Sequence, residues 1–205
     1  MPKKSAAPAM PLELRDACIV AAQEVIAERG IENLSLREVA RKLGVSHQAP
    51  YKHYPSRGHL LAEVMRRCFE RFATHLDARN HFEDPKADLE ALSHQYLNYA
   101  QAHPLEYRLM FSTPWPESAE HPDLVRDAVH AFDVLRQVMR RMHGNSAAMR
   151  DLADLDALYI WSSMHGAAGV MQGDCIGKLA LKPKVLGRAM AHVMERVGQG
   201  LAAGR

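Results

Sequence analysis

Within twelve residues, Ser35 to Ser46, this chain places two helix starts and one helix stop, and that spacing constrains its fold more than any other feature. Ser35 with Glu38 reads as a capping box, in which the hydroxyl accepts a first-turn N–H and the carboxylate turns back to the cap. Leu36, Val39, Ala40 and Leu43 then recur as one buried helical stripe, and Gly44 supplies the left-handed stop. After a turn of only Gly44 and Val45, Ser46 caps a further short helix expected over residues 47–52. Two short helices joined by so tight a turn form a helix-turn-helix.

Helix signals continue along the chain, and sustained period-2 alternation is absent, so the expected fold class is all-α. A first helix spans residues 12–29, with Leu14, Cys18, Ala21 and Val25 on one face and Gly30 at its end. Ser56 caps a long helix to about residue 79, which outlasts the small module it closes and links it to the remainder. Five more helices are expected, over residues 88–103, 104–111, 123–142, 151–172 and 184–201, about nine in all. A loop rich in proline and acids fills residues 112–122. Residues 1–11 read as a disordered tail, 12–56 as one domain and 57–205 as a second.

No run of about 18 apolar residues is present to cross a membrane, and the broken apolar stretch before Pro11 is too short for a signal core. A cytoplasmic protein is expected. Cys18, Cys68 and Cys175 are odd in number and widely spaced, and are read as reduced structural thiols. The net charge of +2 is unevenly divided: residues 1–80 hold thirteen Lys and Arg against nine Asp and Glu, the remainder thirteen against fifteen. Between Ser35 and Leu60, Arg37, Arg41, Lys42, Lys52 and Arg57 face Glu38 alone.

The run from Gly30 to Ala40, then Gly44-Val45-Ser46, then Ala49-Pro50-Tyr51-Lys52-His53-Tyr54-Pro55-Ser56-Arg57 and Leu60-Leu61, resembles the DNA-binding domain of the tetracycline-repressor (TetR) family. Trp161 to Gly166 resembles the Trp/His-Gly signature of one C-terminal subclass of that family. The resemblance implies a homodimeric regulator, usually a repressor, whose C-terminal half binds a small effector and releases double-stranded DNA. Activation, or regulation without a ligand, is the alternative on the same fold; an all-α lipid-binding protein ranks lower. The module's modest positive charge speaks against a non-specific DNA-compacting protein.

A recognition helix entering the major groove by its N-terminal end presents His47, Gln48 and Ala49 to base edges. Gln48 matches an adenine edge and the Ala49 methyl a thymine methyl. Ser35, Arg37, Tyr51, Lys52, His53 and Arg57 suit phosphates, with Tyr51, His53 and Arg57 at the family's phosphate-contacting positions. Pro50 stands where many members carry Leu, in the helix's first turn, where a missing N–H costs little.

The candidate effector residues are Phe69, Phe72, Tyr96, Met110, Phe111, Trp115, Phe132, Met139, Trp161 and His165, with few Lys or Arg nearby, so the effector is expected to be apolar. No HExxH, GxSxG, GxGxxG or GxxxxGK motif occurs, and no histidine pairs with a carboxylate at metal-ligand spacing on one helical face. No catalysis, cofactor or metal is expected. Gly166 and Gly169 are read as helix-packing residues, Gly173 and Gly177 as loop residues.

Overall fold

The computed structural model describes residues 13–144, 146–173 and 176–203. The expected tail, residues 1–11, and Cys175 lie outside them. Among the described residues every regular element is helical. Eight α-helices follow in order: α1 (Leu14–Arg29), α2 (Leu36–Leu43), α3 (Arg57–Asp77), α4 (Pro85–Ala102), α5 (Pro104–Phe111), α6 (Pro122–His143), α7 (Ala147–Gln172) and α8 (Pro183–Ala203). Two compact units result. One comprises the described residues up to Met65 with Pro114–Leu124, the other Arg66–Thr113 with the described residues from Val125 onward.

In the first unit, α1 buries Cys18, Ile19, Ala21, Ala22, Val25 and Ile26 against Leu36, Val39 and Ala40 of α2. Gly30 follows α1 at φ 86°, a region that L side chains rarely enter. Ser35 caps α2 as expected, its hydroxyl accepting the Glu38 N–H at 3.2 Å, and Gly44 closes the helix at φ 68°, ψ 24°. The other half of the capping box is absent. Glu38 instead accepts from Arg29 at 2.9 Å and Arg41 at 2.8 Å, because two guanidinium groups attract a carboxylate more strongly than one amide N–H.

The expected third helix is the one missing from nine. Residues 47–49 form a turn, with the Ala49 N–H on the Ser46 carbonyl at 3.0 Å, followed by a single 3₁₀ turn, Pro50–Lys52. Ala49 keeps right-handed helical angles, φ −60° and ψ −47°, but Pro50 has no N–H to bond the Ser46 carbonyl, so a segment this short never completes an α-helical repeat. Pro50 and Tyr54 are buried, and the Tyr54 hydroxyl donates to the Arg15 carbonyl at 3.1 Å, anchoring the segment on α1.

Ser56 caps α3 through the His59 N–H at 3.3 Å. Arg57 reaches back to the turn before α2, donating to the carbonyls of Leu34 at 3.0 Å and Ile31 at 2.8 Å.

The second unit is organised around a buried carboxylate. Asp88 of α4 is fully buried and accepts from Arg79 at 3.1 and 3.3 Å and from Arg141 of α6 at 2.5 Å. Arg141 also donates to the Phe82 and Glu83 carbonyls at 2.6 and 2.9 Å, and Arg79 to that of Leu76 at 3.2 Å. The chain after α3, the start of α4 and the end of α6 therefore meet at one ion cluster. The Arg79 and Arg141 guanidiniums hold the Asp88 carboxyl below its usual range against the opposing effect of burial. Helix α7 buries Ala153, Ala157, Ile160, Met164 and Ala168 as one stripe.

Within the chain Gly166 and Gly169 make no close approach, since a Cβ at either meets nothing within 4 Å. The tight approach is at Gly200 of α8, where a Cβ falls 3.0 Å from the Tyr159 hydroxyl of α7. Asp88→Ala is expected to destabilise the fold by about 3–5 kcal/mol, since it strands two guanidiniums. Urea unfolding followed by circular dichroism measures this, with Asp77→Ala, an exposed neighbour of Arg79, as the mild comparison.

Candidate nucleic-acid interface and interior cavity

In the first unit the residues expected at DNA converge on one stretch. His47, Gln48, Tyr51, Lys52 and His53 are exposed and Ala49 half-buried, while Pro50 and Tyr54 face inward between them. The alternation follows from the turn geometry, in which a buried proline and a buried tyrosine hold a short segment whose other side chains project outward. Arg37 is exposed at the start of α2, beside the free N–H groups of its first turn. Ser35 keeps its hydroxyl proton available while capping α2. The carbonyls of Leu34 and Ile31 occupy Arg57, which makes it a clasp on the base of α3 as well as a candidate phosphate ligand.

In the second unit, Phe69, Phe72, Leu76, Leu92, Ser93, Tyr96, Phe111, Ala128, Ala131, Phe132, Leu135, Trp161 and Met164 enclose a cavity. Its volume is about 40 Å³, space for a few waters. Six of the ten residues expected at an effector line it. Met110 and Met139 are buried on α5 and α6, two of the helices that form it, but do not line it. Trp115 is a correction: it belongs to the first unit, 37% exposed, because the prolines flanking it keep this stretch out of α5 and α6.

His165 sits just behind the lining. Its Nδ1 lies 2.7 Å from the Tyr107 hydroxyl and 3.3 Å from that of Tyr96, and the two hydroxyls are 2.8 Å apart. Burial lowers the His165 pKa and keeps the ring neutral at pH 7, while it pushes the Tyr107 hydroxyl up to about 12 and Tyr96 higher still. Three neutral groups able to donate and accept thus border an otherwise aromatic wall.

Comparison with known proteins joins the two halves. The family described as "Bacterial regulatory proteins, tetR family" matches residues 19–64, and "Tetracyclin repressor-like, C-terminal domain" matches residues 89–194, over half the chain. The chain belongs to the TetR family of transcriptional regulators. A transcriptional regulator from Rhodococcus sp. Rha1 is 25% identical, covering 92% of this chain and 97% of its own, with a TM-score of 0.65. The putative regulatory protein SCO4313 is 24% identical over 91% of this chain and 100% of its own, at 0.68. BioQ, solved with its natural double-stranded DNA operator, is 19% identical over 94% and 99%, at 0.60. No curated protein matches significantly.

Sequence reading missed one polar residue in this TetR protein's cavity. Ser93 on α4 is 1% exposed, lines the cavity and has no hydrogen-bond partner for its hydroxyl. Only its position one residue after Leu92 on the buried stripe hints at this, and that spacing does not distinguish a cavity wall from a solid core. Because the folded pKa of His165 lies below its ordinary 6.5, the unfolded chain binds the extra proton first; stability is complete above that pH and falls as pH drops below it. Urea midpoints at about pH 7.5 and about pH 5.5 are expected to fall further for the wild type than for His165→Gln.

Proposed function

We propose that this regulator is a homodimeric, cytoplasmic repressor that reads an inverted-repeat operator and leaves it when a small apolar effector enters the cavity of the second unit. The observation that carries the reading is the exposed set His47, Gln48, Tyr51, Lys52 and His53 projecting from a segment pinned by buried Pro50 and Tyr54. The DNA-bound BioQ structure, which shares the fold, supports the same use of the module here. In this reading Gln48 and His47 meet base edges in the major groove, and Tyr51, Lys52, His53, Arg37 and Ser35 meet phosphates. Arg57 fixes the start of α3 against the turn before α2, so that any displacement of α3 reaches the reading segment.

The homodimer reading rests on α7 and α8. Opposite its buried stripe α7 exposes Leu155, Leu158, Tyr159 and Val170, with Gly166 and Gly169 open along the same face. Val185 of α8 and the preceding Leu179 and Leu181 are exposed as well. An apolar, small-residue face of this extent is characteristic of a surface covered by a partner. A second copy places two reading segments side by side and predicts a two-fold symmetric operator.

The effector is read from the wall chemistry. The lining carries no charged side chain, and Ser93, Tyr96 and the neighbouring Tyr107–His165 pair offer hydrogen bonds. A mostly hydrocarbon or aromatic molecule with one neutral polar group fits that distribution. Because the cavity is small, such a ligand has to part Phe69, Phe72 and Leu76 of α3 from the helices facing them. Since α3 begins in the first unit, occupancy shifts the population away from the DNA-binding arrangement.

Selection from a random duplex pool at near-physiological salt is expected to return an inverted repeat; absence of any enriched sequence from effector-stripped, refolded protein overturns the DNA reading. Tyr51→Ala is expected to weaken binding to all sequences alike, whereas Gln48→Ala relaxes one position per half-site by about 1–3 kcal/mol. Identical behaviour of the two refutes the role assignments. Light scattering is expected to give a dimer for the wild type and a monomer for Leu158→Glu.

A further inference from the structure

One cluster in the first unit belongs neither to the residues expected at DNA nor to those that line the cavity. His59, on the first turns of α3, meets Glu120 and His121 from the 114–124 segment, with one donor atom from each residue within 4.8 Å of the others. The two imidazoles stand edge to face, 4.9 Å between centroids and 86° between planes. The Ser56 hydroxyl lies 2.9 Å from His59 Nδ1, which fixes the ring and leaves its second nitrogen available. Such an outer hydrogen bond is the usual way a metal-binding histidine is oriented. Both histidines are half-buried and Glu120 is exposed.

We infer that His59, Glu120 and His121 form a site for one divalent transition-metal ion of the Zn²⁺ type, tying the 114–124 segment to the start of α3. Two imidazoles and a carboxylate suit a borderline ion; Mg²⁺ and Ca²⁺ prefer all-oxygen shells, and no thiolate is present to select Cu(I). Donors at about 2.0–2.2 Å from a four-coordinate ion stand roughly 3.4 Å apart, so closure asks for side-chain rotations of about an ångström. The fourth position falls to water. Charge favours the ion too: residues 112–124 contain Glu117, Glu120 and Asp123 and no Lys or Arg, and the neighbouring Arg57 is bonded to the Ile31 and Leu34 carbonyls. With the ion bound, residues on either side of the site, including the Arg57 clasp two positions before His59, lose freedom together.

The test uses tag-free, full-length protein freed of metal by a chelator and titrated with Co²⁺, without DNA or effector. Wild type is expected to develop intense visible absorption typical of a four-coordinate nitrogen–oxygen site, saturating at one ion per chain and erased by Zn²⁺. His59→Gln and His121→Gln are expected to lose it, and Glu120→Gln to bind at least tenfold more weakly. His94→Gln, on an exposed position of α4, is expected to retain it. Saturating Zn²⁺ is expected to raise the melting temperature of the wild type and not that of His121→Gln. Equal titrations for wild type and His121→Gln, when both show native circular dichroism, overturn the site. So does a spectrum that stays that of the hydrated ion.

Discussion

Arginine side chains that bind backbone carbonyls hold both ends of α3. At its start, Arg57 donates to Ile31 and Leu34; beyond its end, Arg79 donates to Leu76 while pairing with buried Asp88. A guanidinium presents a rigid fork of donors, so it fixes direction as well as distance. The helix that contributes residues to both units therefore has a side-chain contact at each end. Phe69 and Phe72 face the cavity from the part of the same helix that lies in the second unit.

What was legible in the sequence was whatever depends on residues within a turn or two of one another. Ser35 with Glu38, Gly44, Ser56 and Gly30 fixed helix ends because capping and positive φ are local events, and the apolar stripes placed α1 through α8 to within a few residues. Pro50 was seen, but a lost N–H in so short a segment outweighed the cap signal that preceded it. The choice of partner for Glu38 was invisible, because Arg29 approaches it only after α1 and α2 pack.

The candidate sites divide in the same way. The residues after Ser46 were picked out on an expected short helix, and the turn that forms instead still leaves most of them exposed. Six cavity residues came from size and polarity alone; Trp115 satisfied both criteria and fails on topology. Ser93 and the Asp88 cluster were missed for a common reason. A small or charged residue on an apolar helical face gains its meaning from what stands opposite, and Asp88 and Arg141 are 53 positions apart. His59, Glu120 and His121 likewise share no sequence neighbourhood.

The small volume of the cavity bears on timing. Under the proposed effector reading, a pocket with room for a few waters has to widen before a larger molecule can enter, so loading waits for the aromatic wall to open. At low effector concentration the rate of loading then rises with concentration, and at high concentration it levels off at the opening rate. The closed form also lowers apparent affinity by the fraction of molecules that are open. Under that reading the aromatic packing around Phe72 sets a limit on how fast the regulator can be loaded, as well as forming the wall.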